Sequence, residues 1–327
     1  MSQPTSYNQE SQFPSFYPLT LGRSPQKEDV VGKAKDFLDK LEVNIGAEEI
    51  FNAMGTQPEK TFLLYGPPGT GKSMCIQAIN NYMNKEITDR FSEKASPEEL
   101  KENPLSLRDF GLMTFPYDIG SHGTAYINMG SRILQTFFDT CFTVASKGKK
   151  VLIVMDEFDA LGSSRKQSLN SGHAEDRKVL ETIMKNLQKV HDTSNLYSVL
   201  MTNEPEICDN AVLRAGRIDE RYFLDIPNGE ERKKGFEKAI DNINKKASYE
   251  IISHYSLDNL VDISQGFSYA DIFQSVEKSV KQKAREVYLQ REESIIKPGK
   301  VSRSELEKSV KEHKENFKES KKQIGFN

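Results

Sequence analysis

The chain has 327 residues, a formal net charge of −3, 28% charged residues and a mean hydropathy of −0.62. That length suffices for a full core in two or three modules, and the near-neutral balance excludes a strongly basic coat for nucleic acid. No apolar run approaches the ~18 residues of a bilayer span, the amino end (MSQPTSYNQE) lacks an apolar signal core, and neither the three cysteines nor the five histidines show metal-ligand spacing. Cys75, Cys141 and Cys208 therefore read as reduced core thiols of a cytoplasmic protein with no membrane partner.

Residues 1–28, rich in Ser, Gln, Pro and aromatics without a period, read as a flexible tail in which Phe13, Phe16 and Tyr17 are the candidates for docking. From Gly32 onward Ala34, Phe37, Leu38 and Leu41 fall at helical spacing, and a short second helix is expected over Ala47 to Met54. The stretch Phe62 to Tyr65 reads as a buried strand that stops at Gly66. There follows G-x-x-x-x-G-K-S, with Gly66, Gly71, Lys72 and Ser73 at the fixed positions. Glycines let backbone N–H groups turn inward around an anion, and the next helix adds its positive end. The whole loop (Gly66, Pro67, Pro68, Gly69, Thr70, Gly71, Lys72, Ser73) is thus expected to hold phosphates, Lys72 reaching the outer ones and Ser73 ligating Mg²⁺.

After a helix from Ser73 to Lys85, the charged segment 86–110 with its two prolines reads as a surface insertion. Leu112 to Ile119 is a strand candidate despite Pro116. A helix is expected over Ser131 to Phe142, then a basic turn, then VLIVM at 151–155 as a central parallel strand buried on both faces. Acidic residues at the carboxyl end of such a strand border a nucleotide crevice, so Asp156 is a candidate for holding Mg²⁺ and Glu157 for polarising the attacking water. A polar loop from Gly162 to Asp176 leads into a helix through Val179, Ile183 and Leu187; a strand Tyr197 to Thr202 ends at Asn203. Arg214, Arg217 and Arg221 cluster before a strand candidate, Tyr222 to Ile226, and beyond Asn228 only helical patterns remain. Two of those helices carry capping-box spacing, Ser268 with Asp271 and Ser302 with Glu305, and the last has a lysine-rich face.

In this order the motifs resemble the AAA branch of the AAA+ ATPases, from about Asp29 to the carboxyl end. LLYGPPGTGKS, IVMDEFDALG, MTNEP and LRAGRIDERYFLDIP correspond to Walker A, Walker B, sensor 1 and the second region of homology, and GFSYADI to G-F-S-G-A-D-L of the small domain. The resemblance implies an α/β fold: a P-loop NTPase parallel sheet sandwiched by helices (29–227, with the insertion at about 86–110), followed by a small C-terminal helical lid domain (228–327). It implies ATP and Mg²⁺ as ligands, phosphoanhydride hydrolysis, and a homo-oligomeric ring, a hexamer. Carried over by position, Asn203 positions the water with Glu157, Arg217 acts as arginine finger on a neighbouring subunit's nucleotide, and Gly32 lies in the segment whose backbone reads adenine. Arg221 is displaced by one position from the usual second arginine and resembles the arrangement in katanin-like members. Tyr269 stands where the family has glycine.

Within GSHGTAYINMGSRILQTFF, Tyr126 and Ile127 match the aromatic and aliphatic pore-loop pair of proteasomal ATPases, with Asn128 departing from the pattern. Such side chains grip polypeptide through apolar area, without reading its sequence. The implied function is a ring motor that remodels, unfolds or disassembles protein substrates, with a protein substrate or adaptor as partner. The alternative is a nucleic-acid-linked AAA+ ATPase using the lysine-rich helices.

Overall fold

The computed structural model describes residues 16–20, 25–92, 111–120, 130–161, 172–206, 217–247, 249–253, 255–290 and 299–323. Five strands form one sheet, β1 (Thr61–Tyr65), β2 (Leu112–Asp118), β3 (Lys150–Asp156), β4 (Leu196–Thr202) and β5 (Glu220–Phe223). Their order is β2-β3-β4-β1-β5, and every pairing is parallel. The helices are α1 (Lys33–Gly46), α2 (Glu48–Ala53), α3 (Lys72–Ser92), α4 (Gly130–Ser146), α5 (Gly172–His191), α6 (Gly229–Ala247), α7 (Asp258–Ile263), α8 (Tyr269–Gln290) and α9 (Arg303–Gln323). This is the α/β plan expected: a parallel sheet with flanking helices, followed by the C-terminal helices α6 to α9.

Two compact units are distinguishable. One holds Leu38–Tyr65 and Ile76–Phe223 with the described residues up to Gln26; the other holds Lys27–Phe37, Gly66–Cys75 and the chain from Leu224. The phosphate loop thus groups with the C-terminal helices.

In the first unit the strongest sequence signal lies at the centre. The inner strand β3 has Val151 to Met155 buried, and β4 is buried along its whole length, as strands covered on both faces must be. Phe137, Phe138 and Cys141 of α4 and Ile183 and Leu187 of α5 close over that side. Pro116 is exposed in β2, which lies at the sheet edge, where a strand tolerates a residue without an N–H. At the amino end of the sheet Glu48 and Lys60 form a buried ion pair, to which Tyr197 adds its hydroxyl at 2.6 Å from Glu48.

Several boundaries differ from the sequence reading. The strand expected at 222–226 begins two residues earlier and ends at Phe223. Helix α5 begins at Gly172, inside the expected polar loop, and α3 continues to Ser92, into the expected insertion. Part of the expected tail is seated: Phe16 packs edge-on to Phe137 at 5.1 Å, and the Leu19 N–H donates to the Thr114 carbonyl at 2.7 Å, while Tyr17 stays 76% exposed. Cys75 and Cys141 are buried free thiols, Cys75 pushed up to about 12 by burial; Cys208 lies outside the described residues.

The second unit has its own core, in which Phe236 and Ile240 of α6, Ile272 and Val276 of α8, and Leu306 and Val310 of α9 meet. Both expected capping boxes form. Ser268 N–H donates to Asp271 at 2.8 Å, Ser302 N–H donates to Glu305 at 2.6 Å, and each acid's N–H returns a bond to the serine hydroxyl at 3.3 Å.

Candidate nucleotide site

The phosphate loop takes its shape from close approaches that only glycine permits. Gly66, at φ +145°, would place a Cβ 2.0 Å from the Leu224 carbonyl oxygen; Gly69, at φ +79°, would place one 2.5 Å from Ser268 Oγ. The Gly69 carbonyl accepts from Ala270 N–H at 3.2 Å, and Thr70 Oγ1 donates to the Pro67 carbonyl at 2.9 Å. Lys72 opens α3 and is buried; its Nζ donates to the carbonyls of Gly66 at 2.7 Å and Pro67 at 2.9 Å, which holds the ammonium over the loop. Ser73, next in the helix, is exposed. A helix start with positive-φ glycines, an ammonium and an open hydroxyl suits a polyphosphate with its counter-cation.

Beside the loop, in the same unit, lies a pocket of about 130 Å³ lined by Lys33, Ala34, Thr70, Leu224 to Ile226, Asn228, Glu231 and Tyr269. Gly32 borders it: a Cβ there would come within 2.7 Å of Glu231 Oε1 and 2.8 Å of the Tyr269 hydroxyl. Glu231 is fixed by a capping box with Asn228, each backbone N–H donating to the other's side chain at 2.9 and 3.0 Å.

In the first unit the carboxyl ends of β1, β4 and β3 lie side by side. From them issue, in turn, the phosphate loop, Asn203, and the Asp156–Glu157 pair. Glu157 turns out of the strand at φ +52°, a conformation uncommon for a non-glycine residue and one that clusters at functional sites. Its N–H donates to Asp156 Oδ1 at 2.8 Å. The Glu157 carboxyl is raised above the usual range, first by the charge of Asp118, then by desolvation, then by Asp156 and Asp159. A carboxylate held among others is a better proton acceptor than an isolated one.

Arg217 lies at the opposite end of the sheet. It precedes β5, and two residues on the Asp219 N–H donates to the carbonyl of Thr61, where β1 begins. Its guanidinium approaches the Met184 sulfur of α5 at 3.3 Å and is half-buried, whereas Arg221 is exposed on β5. Arg214, Tyr126 and Ile127 lie outside the described residues.

The family model for the ATPase family associated with various cellular activities (AAA) matches residues 62–226, half of the chain. The chain belongs to the AAA family. It is 28% identical over 243 residues to the 26S proteasome regulatory subunit 10B homolog A of Arabidopsis thaliana, covering 73% of this chain and 50% of that protein. It is 26% identical over 238 residues to the proteasome-activating nucleotidase of Methanopyrus kandleri, covering 73% of this chain and 46% of that one. The match thus spans about half the length of these relatives. No helix among the described residues is long and apolar enough to cross a membrane.

Three residues of this AAA chain that bear on the site escaped the sequence reading. Asp159 accepts from Thr202 Oγ1 at 2.6 Å and from Asn203 N–H at 3.3 Å, tying the turn after β3 to the end of β4. Asp118 ends β2 in register with Asp156. Gly120 lies so close to Glu157 that a Cβ there would be 2.0 Å from Oε2. The second aspartate of DEFDALG was the one visible hint; the other two depend on a pairing across strands.

Proposed function

We propose that this AAA chain is an ATP-hydrolysing ring motor that pulls polypeptide, and that ATP is cleaved at a seam completed by two copies. One copy supplies Lys72, Ser73, Asp156, Glu157 and Asn203; its neighbour supplies Arg217. The observation that carries the reading is the placing of Arg217 at the amino end of the sheet, while the phosphate loop leaves the carboxyl end of β1. A cation so placed serves a neighbour's nucleotide better than its own, and a finger of this kind contributes roughly 10³–10⁵ in kcat.

ATP and Mg²⁺ fit the residues present. Mg²⁺ needs only one or two protein ligands, here Ser73 and Asp156, with phosphates and water for the rest; it would neutralise charge on the β- and γ-phosphate oxygens. Glu157 accepts the proton of the attacking water, and Asn203 orients that water, its backbone anchored by Asp159. The subunits assemble as a homo-oligomeric ring, a hexamer by family pattern, in which Tyr126 and Ile127 line the channel and grip an extended protein substrate by apolar contact. The names of the two relatives, a proteasome regulatory subunit and a proteasome-activating nucleotidase, support a protein client. Of the lysines on the C-terminal helices, Lys278 and Lys283 of α8 are already paired with Glu312 and Glu305 of α9.

The motor reading is tested by Tyr126→Ala. ATP hydrolysis should persist while unfolding of a tagged protein substrate is lost; equal loss of both would assign Tyr126 to the fold.

A further inference from the structure

We infer that Asp219 is the positioning residue for Arg217: its carboxylate ends the sheet at β5 and so sets where the chain delivers the guanidinium. The inference rests on the reading above, in which Arg217 serves a neighbour's nucleotide, and deepens it by naming what holds that arginine in place.

Thr61 opens β1 and turns its carbonyl toward β5, where it accepts from the Asp219 N–H at 2.8 Å. In a parallel ladder the N–H and C=O of one residue face the same neighbouring strand. Were β5 to reach further back, the Thr61 N–H would meet a backbone carbonyl of the residues just before Asp219. It donates instead to Asp219 Oδ2 at 2.9 Å, and the Lys60 N–H donates to the same oxygen at 2.8 Å. A side chain thus takes the place of the backbone, β5 begins only at Glu220, and Arg217 is left outside the sheet. Hydrogen bonds to a carboxylate are roughly twice as strong as neutral ones, so the stop is firm.

Helix α5 meets the same segment at two points. The Met184 sulfur lies 3.3 Å from the Arg217 guanidinium, and His191 Nε2, sealed from solvent, lies 3.3 Å from Asp219 Oδ1. Met184 and His191 are two turns apart and so share one face of the helix. Between Arg217 and Asp219, Ile218 is buried in the core of the unit. Apolar burial is non-directional and fixes depth only. Two N–H bonds to one oxygen fix direction, which an arginine aimed at another subunit requires.

The test uses the full chain carrying Asp219→Ala, which removes the acceptor, or Asp219→Glu, which keeps the charge but lengthens the side chain by one methylene. Each is assayed alone and mixed with Lys72→Ala. Displacing the arginine by about 1 Å should lower kcat about 100-fold in both variants, with ATP Kd within about twofold of wild type. Asp219→Asn, whose amide oxygen still accepts, should regain most of that loss. Asp219→Glu, which retains an acceptor for the two N–H groups, carries the comparison if Asp219→Ala does not fold. Mixing is the readout that a general loss of stability would not move. A subunit altered at Asp219 keeps its own Lys72 and Glu157, so a Lys72→Ala neighbour with its arginine in place should restore hydrolysis to it. Recovery should match that of Arg217→Ala mixed with Lys72→Ala. A kcat within about threefold of wild type in the folded variants would overturn the role of Asp219. So would ATP binding lost together with turnover, or no recovery on mixing where the Arg217→Ala mixture recovers. No recovery in the Arg217→Ala mixture would instead refute the shared-seam reading on which this one stands.

Discussion

Gly120→Ala isolates the placement of Glu157 from everything else in the site. The new methyl carbon would lie 2.0 Å from Glu157 Oε2 and 3.2 Å from its Cδ, with Asp118 Oδ1 at 3.4 Å. Non-bonded carbon and oxygen need roughly 3 Å or more, so the carboxylate must retreat by about 1 Å. It can do so cheaply, because Glu157 is exposed; its backbone stays fixed by the Asp156 Oδ1 hydrogen bond. A misplacement of about 1 Å in a reacting group costs about 10²-fold in rate, or about 2.7 kcal/mol of transition-state stabilisation. The expected result is a kcat for ATP hydrolysis down about 100-fold, measured by coupled ADP release, with nucleotide Kd within about twofold and Tm within about 2 °C. A kcat within about threefold of wild type in a folded protein would show that the position of Glu157 does not govern turnover. Parallel losses of kcat and nucleotide binding would place the damage elsewhere in the site.

Asp159→Ala should lower kcat and Tm together while sparing nucleotide affinity, because it frees the Asn203 turn and leaves the Thr202 hydroxyl without its charged acceptor; the stability loss should be about 1.5–3 kcal/mol. Thr202→Val, which keeps the carboxylate, should reproduce the turnover defect, and wild-type kcat in both variants would remove Asp159 from the site. Lys283 and two bonds from Ser302 lower the Glu305 carboxyl from 4.5 to about 2. A depressed carboxylate stabilises the fold above its ordinary pKa and loses that contribution as pH falls through its folded value. The Tm gap between wild type and Glu305→Gln should therefore be open at pH 7 and narrow as pH drops from 4.5 toward 2; with the side chain 33% exposed, it should correspond to less than about 1 kcal/mol. A gap that persists unchanged in acid would contradict the assignment.

What could be read from the chain was local. The phosphate loop, the strand before it, the five apolar residues ending in Asp156 and both capping boxes are each set by residues a few positions apart, and each forms as expected. Arg232 illustrates the opposite case: it stands among the charged residues that open α6, GEERKK, yet it is buried and donates to the carbonyls of Pro227 and Val261. Asp118, Asp159 and Gly120 act on Glu157 and Asn203 only through strand register and turn closure, which no spacing rule reveals. Phe16 looked like part of a tail because nothing near it in sequence is periodic; its partners, Tyr117 and Phe137, lie about a hundred residues on. Likewise Tyr269 was visible only as a departure from a family pattern. The glycine that makes room for it, Gly235, belongs to another helix.

The shared seam is tested most directly by mixing two inactive variants, Lys72→Ala and Arg217→Ala. Each alone should be nearly without ATPase activity. In rings assembled at random from equal amounts, about a quarter of head-to-tail interfaces join an intact Lys72 to an intact Arg217. Mixing should therefore restore a substantial fraction of wild-type hydrolysis, rising and then falling as the ratio is varied. No recovery at any ratio, with mixed rings demonstrated by tag pull-down, would contradict an arginine acting across the interface.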